Sequence, residues 1–110
     1  KLAKKERIKL TITSKPLEAV EGADCVMTDK WISMNDKVNK ASKKKILKPY
    51  QVNKKLMSKA NSDAIFMHCL PVGRGEEVTN EVIDGKQSVV WRQALNRVHA
   101  QKSIIKWCLD

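Results

Sequence analysis

Residues 64–71 read Ala-Ile-Phe-Met-His-Cys-Leu-Pro, and this stretch decides the fold. Its apolar first half has the length and composition of a buried strand, and the strand ends abruptly at His68-Cys69-Leu70-Pro71 before a glycine-containing loop. In α/β proteins, ligands bind outside the carboxyl ends of the parallel strands. The sequence therefore predicts a ligand-binding site at the carboxyl end of this strand, with Cys69 as its first candidate residue.

The segments on either side of this strand alternate between strand and helix patterns. We predict further strands at residues 8–13, 24–28 and 88–91, and expect the one at 24–28 to be buried on both faces because it is almost continuously apolar. The predicted helices are the end of one at residues 1–6, a short one capped by Ser14, a lysine-rich one over 36–47, a short one around 52–60 and a last one from about Arg92. This order predicts βαβ units in an α/β fold, a Rossmann-like three-layer domain with a parallel sheet.

The formal net charge of the 110-residue chain is +10, and most of the excess is lysine in segments 1–9, 37–48 and 54–59. Arginine, which binds phosphate and guanine bidentately, occurs only at Arg7, Arg74, Arg92 and Arg97. The aromatic residues do not alternate with the lysines as a base-stacking platform requires. Solvated helix faces explain this charge better than a nucleic-acid footprint, although a general attraction for anionic ligands fits both interpretations.

Length and cysteine usage restrict the class of protein further. A chain of this size buries one modest core, and no apolar run approaches membrane-spanning length. Cys25, Cys69 and Cys108 lie far apart, which is typical of a reducing compartment and does not favour a zinc site, because only His68 and Cys69 are adjacent. Neither a dinucleotide-binding, a P-loop nor a Gly-x-Ser-x-Gly motif is present.

The residues after the second strand form one candidate site. Asp29 follows this strand directly, and the hydroxyl of Ser33 lies four residues later, so that a carboxylate and a neutral acceptor can together bind an ammonium group. The alternative is that Asp29 caps a turn while Trp31 packs on the surface. Spacing alone does not decide between the two.

Two other strand ends carry reactive or charged side chains. The Cys69 thiol can have its pKa lowered by nearby positive charge and then act as a base, a nucleophile or a polar contact, or it can be a small buried apolar residue beside a structural His68. We place Asn96 and Arg97 in the first turn of the last helix, where a guanidinium beside free N–H groups forms an anion site. The alternative for Arg97 is an ordinary surface arginine.

Six motifs occur in order along nearly the whole chain. They lie at residues 23–29 (Ala-Asp-Cys-Val-Met-Thr-Asp), 31–34 (Trp-Ile-Ser-Met), 50–53 (Tyr-Gln-Val-Asn), 66–71 (Phe-Met-His-Cys-Leu-Pro), 74–79 (Arg-Gly-Glu-Glu-Val-Thr) and 96–102 (Asn-Arg-Val-His-Ala-Gln-Lys). In this combination the chain resembles the C-terminal part of the ornithine carbamoyltransferase family. The resemblance implies that residues 1–110 are an ornithine-binding domain, incomplete on its N-terminal side, and that the carbamoyl-phosphate domain is absent, because no Ser-Thr-Arg-Thr or His-Pro-x-Gln motif is found.

The resemblance also implies an enzymatic reaction. Members of this family transfer the carbamoyl group of carbamoyl phosphate to the δ-amino group of L-ornithine, which gives citrulline and phosphate without a metal or organic cofactor. Asp29, Ser33 and the backbone of Met34 match the residues that hold the amino-acid end of ornithine. Cys69 matches the thiol beside the attacking nitrogen, where Asp29 can also assist proton transfer.

The carbamoyl side of the site is implied in the same way. The carbonyl groups of Cys69 and Leu70, together with the guanidinium of Arg97, match the group that orients the carbamoyl moiety of carbamoyl phosphate. Two residues depart from the family pattern, since Asn35 replaces a glycine and Leu95 replaces an acidic residue. Neither departure implies inactivity.

Partners and location are expected from the resemblance as well. It implies arginine metabolism in a cytoplasmic homotrimer, or in the mitochondrial matrix if the source is an animal, with no nucleic-acid or membrane partner. We expect the 110 residues alone to be inactive, because the phosphate half of the site is missing. Two alternatives stay open: a related carbamoyltransferase with another amine acceptor, and a basic binding module that keeps the fold without the chemistry.

Overall fold

The computed structural model describes residues 9–32 and 39–110. The elements in chain order are helix α1 (Pro16–Ala19), strand β1 (Cys25–Thr28), helix α2 (Lys40–Leu47), a 3-10 helix (Lys48–Tyr50), helix α3 (Lys54–Met57), strand β2 (Ile65–His68), helix α4 (Asn80–Ile83) and helix α5 (Val90–Leu109). Helices alternate with two parallel strands, so the predicted α/β class is confirmed. The helix predicted at residues 1–6 lies outside the described residues.

Strands β1 and β2 pair in parallel, with Cys25 opposite Ile65 and Thr28 opposite His68. The pairing begins where the amide of Ile65 donates to the carbonyl of Asp24. Because the two strands are in register and equally long, their carboxyl ends meet at one edge of the sheet. The residues that follow them in the chain therefore begin side by side.

The core lies against one face of this sheet. Val26 and Phe66 are cross-strand partners on that face, and the buried apolar residues packed with them are Val52, Leu56, Met57, Val78, Val82, Ile83 and Val90. On the opposite face Cys25 is exposed and Met27 is 58 % exposed. The prediction that this strand is buried on both faces is thus wrong, because in the described part of the chain only one face of the sheet is covered.

Two predicted strands do not form. Residues 9–13 have no regular structure, and their alternating apolar side chains, Leu10 and Ile12, are 69 % and 89 % exposed. A strand needs a neighbour for its backbone hydrogen bonds, and the described residues provide none there. The predicted strand at 88–91 is reduced to a single parallel bridge between Phe66 and Ser88, because helix α5 already begins at Val90.

The helix boundaries differ from the predicted ones by a few residues. Lys15, and not Ser14, precedes helix α1, and no side chain caps it. Helix α2 starts at Lys40, where the side chain of Asn39 accepts hydrogen bonds from two backbone amides. Residues 36–38 of that prediction lie outside the described residues. The short helix predicted around 52–60 is confirmed as α3, which begins after Val52.

The start of helix α5 affects the interpretation of the site. The helix begins at Val90, two residues before the predicted start at Arg92, so Arg97 is its eighth residue and lies beyond the first turn. Only the first four N–H groups of a helix lack an internal partner. The prediction that Arg97 lies in the first turn of the last helix, beside free N–H groups, is therefore wrong.

In residues 9–32 and 39–110, no helix has both the length and the apolar character to cross a membrane.

Candidate functional site

The ends of the two strands meet through a direct side-chain contact. The Cys69 thiol donates a hydrogen bond to Oδ1 of Asp29, with an S···O distance of 3.0 Å. The same carboxylate oxygen accepts a hydrogen bond from the backbone amide of Lys30 at 2.6 Å. Both Cys69 and Asp29 are exposed, so the pair faces solvent and is accessible to a ligand. One oxygen atom of Asp29 thus accepts from both the adjacent backbone amide and the thiol.

This contact determines the direction of two pKa shifts. The hydrogen bond to Asp29, slight desolvation and the negative charge of Asp29 raise the pKa of the Cys69 thiol, and the charge of Arg97 opposes them only weakly. The pKa of Asp29 is lowered, first by the hydrogen bond from Cys69 and second by the one from Lys30. Of the alternatives left open by the sequence, a thiol pKa lowered by positive charge is not the one observed, because the group that contacts the thiol is a carboxylate. Cys69 is therefore a protonated hydrogen-bond donor at neutral pH.

Helix α5 places Arg97 beside the same thiol. Its first three turns and the end of β2 line one cleft, formed by His68, Cys69, Gln93, Ala94, Asn96, Arg97 and Ala100. The structure thus brings three predicted site residues, Asp29, Cys69 and Arg97, to one edge of the sheet. Carboxylate, thiol and guanidinium together can bind a molecule that carries both an amine and a carbonyl group.

The loop after Cys69 has an unusual backbone. Leu70 has a φ of 57°, in the left-handed region, and the peptide bond between Leu70 and Pro71 is cis. The Leu70 amide donates to Nδ1 of His68 at 2.9 Å. His68 is 1 % exposed, as expected for a structural histidine, and its Nε2 lies 3.2 Å from Oε1 of the buried Glu77. The carbonyl groups of Cys69 and Leu70 are thereby held in a sharply turned segment.

Two residues near the site were not predicted from the sequence. Glu77 belongs to the Arg-Gly-Glu-Glu-Val motif, but its contact with His68 spans nine residues and has no local signature. Gln93 accepts a hydrogen bond from the backbone amide of His68 at 3.1 Å and so ties the end of β2 to helix α5. Its position four residues before Arg97 puts both on one helix face, which is the signal that could have indicated it.

The other residues singled out from the sequence lie outside this cleft or outside the described residues. Ser33, Met34 and Asn35 lie outside the described residues. Trp31 is 9 % exposed, so its predicted alternative position on the surface is wrong. Leu95 is exposed on helix α5. In the part of the chain that the structure describes, the three cysteines are free and no three His, Cys, Asp or Glu side chains converge as metal ligands.

Comparison with solved structures finds chains of similar fold. The structure is similar to ornithine carbamoyltransferase from Pyrococcus furiosus, with a TM-score of 0.77 and 52 % identity over 83 % of this chain and 29 % of that chain. It is also similar to ornithine transcarbamoylase from Giardia lamblia, with a TM-score of 0.83 and 35 % identity over 94 % of this chain and 33 % of that chain. Both similarities cover about a third of the matched chain.

Sequence comparison gives the same family. The chain is 65 % identical over 100 residues to ornithine carbamoyltransferase of Rhodopseudomonas palustris strain CGA009, which is 91 % of this chain and 32 % of that protein. The chain spans about a third of the length of such curated relatives. Residues 1–108 match the family model described as "Aspartate/ornithine carbamoyltransferase, Asp/Orn binding domain". The chain therefore belongs to the aspartate/ornithine carbamoyltransferase family and corresponds to its Asp/Orn binding domain.

Proposed function

We propose that this chain is the ornithine-binding part of an ornithine carbamoyltransferase, which forms citrulline and phosphate from L-ornithine and carbamoyl phosphate. The observation that carries the proposal is the 3.0 Å contact between Cys69 and Asp29 at the paired strand ends, next to the cleft that contains Arg97. The chain also resembles proteins named ornithine carbamoyltransferase at more than half identity. Residues at this edge hold the reacting groups of both substrates.

In the proposed complex, Asp29 binds the amino-acid end of ornithine together with Ser33 and the backbone of Met34. A carboxylate supplies charge for the α-ammonium group, and the hydroxyl and the backbone supply neutral hydrogen bonds. Asp29 is suited to this role because its lowered pKa keeps it ionised at neutral pH. Cys69 then lies beside the δ-nitrogen.

The chemical step requires a free amine, because an ammonium group has no lone pair with which to attack. Asp29, near the reacting nitrogen, can take part in the removal of its proton. Arg97 and the carbonyl groups of Cys69 and Leu70 orient the carbamoyl group, and the guanidinium stabilises the negative charge that develops on its oxygen. Alignment of amine and carbonyl carbon supplies much of the rate enhancement in a transfer of this kind.

The phosphate group of carbamoyl phosphate has no binding motif in this chain, and we propose that the 110 residues alone do not turn over. The test uses a hybrid enzyme in which this chain replaces the segment that it matches in the R. palustris relative. We expect the hybrid to form citrulline from both substrates, and the isolated chain to form none. A folded but inactive hybrid contradicts the proposed function, with the unmodified relative as positive control. Citrulline formation by the isolated chain at enzyme-like rates contradicts the proposal that these 110 residues lack the phosphate-binding half of the site.

The amine acceptor can be tested in the same hybrid. In the proposed complex Ser33 and Met34 recognise the α-amino-acid end, so we expect ornithine to be carbamoylated and putrescine, which lacks that end, to be a poor acceptor. Equal rates with the two amines favour the related carbamoyltransferase with a diamine substrate. Salt-dependent binding of the chain to nucleic acid, unaffected by ornithine analogues, favours the basic binding module.

The assembly and location are part of the proposal. The full-length enzyme is a homotrimer that acts in arginine metabolism, in the cytoplasm, or in the mitochondrial matrix of an animal source. Light scattering of the hybrid gives its mass directly, and a mass other than three protomers contradicts the trimer. Fractionation of source cells with an antibody against this chain tests the location.

A further inference from the structure

His68 and Glu77 form a buried polar pair that the proposed chemistry does not use. Their side chains are fully buried, and Nε2 of His68 lies 3.2 Å from Oε1 of Glu77. The second carboxyl oxygen of Glu77 has no hydrogen-bond partner in the described part of the chain. Burial of a carboxyl group with an unsatisfied oxygen is costly, so the pair calls for an explanation beyond packing.

The hydrogen bonds fix the proton of the imidazole. The amide of Leu70 donates to Nδ1 of His68, so Nδ1 must offer its lone pair. The ring proton is therefore on Nε2, from which it is donated to Glu77. A doubly protonated ring would present a donor to the Leu70 amide and lose that bond.

Glu77 closes the loop from its other end as well. The amide of Gly73 donates to the same Oε1 atom that accepts from His68. One carboxyl group thus joins both ends of the segment 68–73, within which Leu70 adopts its left-handed conformation. Such a conformation is disfavoured for leucine and persists only where surrounding contacts impose it.

The rest of the fold holds Glu77 itself in place. Its carbonyl accepts from the Val52 amide at 2.9 Å, and the side chain of Gln51 donates to the carbonyls of Gly75 and Glu76 at 2.7 and 2.6 Å. Gly73 leaves room for the carboxyl group, since a Cβ atom there would lie 2.7 Å from Oε2 of Glu77. These contacts hold Glu77, and with it the segment 68–73, in place. We call the contacts of the Glu77 carboxyl group with His68 and Gly73 the clamp.

From these contacts we infer that His68 and Glu77 are positioning residues, which set the Cys69–Leu70 segment at the place where it meets Asp29 and Arg97. The chain of contacts runs from Glu77 through His68 to the Leu70 amide, and from the His68 amide through Gln93 to helix α5. Both side chains are fully buried, so they act on the site through the loop and not by direct contact with a ligand. The inference about turnover rests on the proposed function, whereas the inference about the loop does not.

The first test measures the loop without catalysis. Cys69 alkylation is followed as a function of pH in the 110-residue chain, with peptides resolved by mass spectrometry. We expect Glu77→Ala to release Cys69 from Asp29 and to move its alkylation profile to lower pH, while Cys25 and Cys108 react as before. Glu77→Gln should leave the profile unchanged, because its amide oxygen still accepts from His68 and Gly73.

The second test measures turnover in the hybrid enzyme. Since displacement of reacting groups by about 1 Å can cost about 100-fold, we expect Glu77→Ala to lower kcat by up to that factor while KM for ornithine changes much less. Glu77→Gln should keep kcat close to that of the unmodified hybrid. The control is Glu76→Ala, which removes a neighbouring carboxylate that pairs with Lys44 at the surface and leaves the clamp intact.

A second variant covers the case in which Glu77→Ala does not fold. His68→Asn keeps an acceptor near the position of Nδ1, whereas His68→Gln places its polar group near Nε2 and cannot serve the Leu70 amide. We expect His68→Asn to retain the alkylation profile and more turnover than His68→Gln. The reverse order, or equal losses in Glu77→Gln and Glu77→Ala, overturns the inference. If the folded hybrid is inactive, the proposed function fails while the alkylation results still decide the role of the clamp.

Discussion

The thiol of Cys69 and the carboxylate of Asp29 are joined by a hydrogen bond of 3.0 Å although forty residues separate them in the chain. The parallel register of β1 and β2 brings them together, because Thr28 and His68 are the last cross-strand pair. Asp29, which follows β1, therefore lies next to Cys69, which follows β2. This relationship organises the candidate site.

The first prediction concerns the charge of Asp29. In Asp29→Asn the amide oxygen can still accept from the thiol, but it carries no charge that opposes thiolate formation. We expect the pKa of Cys69 to fall, and alkylation of Cys69 at neutral pH to become faster, as measured by peptide mass spectrometry. Asp63→Asn is the control, because Asp63 precedes the opposite end of β2. An unchanged reactivity of Cys69 in Asp29→Asn contradicts the assigned contact.

The second prediction concerns the pH range in which this hydrogen bond stabilises the fold. The pKa of Asp29 is lowered from 3.8, so its contribution is present above 3.8 and is lost as the pH falls through the lower folded value. The pKa of Cys69 is raised from 9.0, so its contribution is present below 9.0 and is lost as the pH rises through the higher folded value.

Denaturant titrations of the chain and of Cys69→Ala at several pH values test this range. The difference in their free energies of unfolding should be constant between pH 3.8 and pH 9.0, the ordinary pKa values of the two groups, and should decrease below and above that range. Cys25 and Cys108 are present in both proteins, so they do not contribute to the difference. A difference that varies steadily through neutral pH does not fit the assignment.

The third prediction concerns the core. Phe66 is fully buried at the centre of the apolar cluster, so Phe66→Ala should lower the free energy of unfolding by about 3–5 kcal/mol through lost burial and a cavity. Met27→Ala, on the exposed face of the same sheet, should change it by less than about 0.5 kcal/mol. Denaturant unfolding measures both, and similar losses would mean that both faces are covered in solution.

The fourth prediction concerns the guanidinium of Arg97. If it stabilises charge on the carbamoyl oxygen, Arg97→Gln should lower kcat of the hybrid enzyme by about 100- to 1,000-fold, as the loss of an oxyanion donor does in other enzymes. Arg92→Gln, an exposed arginine on the same helix outside the cleft, should have little effect. Steady-state kinetics of citrulline formation compares the two variants, and equal losses contradict a specific role for Arg97.

The strands illustrate what the sequence could and could not predict. Residues 64–67 were recognised because an apolar run ended in turn-forming residues, and the structure places the strand one residue later. Residues 88–91 are also a short apolar run, but periodicity does not separate a strand from the start of a helix in so few residues. Residues 9–13 alternate as a strand does, yet a strand also depends on a neighbour that the local pattern does not specify.

The sequence alone singled out Asp29, Cys69 and Arg97 as candidate site residues, because Asp29 and Cys69 follow strand patterns and Arg97 lies in a recognisable motif. It did not determine that Cys69 has a raised pKa, that Arg97 lies beyond the first helical turn, or that Glu77 supports the loop through His68. These properties depend on distances between groups far apart in the chain. Electrostatic and hydrogen-bond energies change steeply with such distances, and only the tertiary structure sets them.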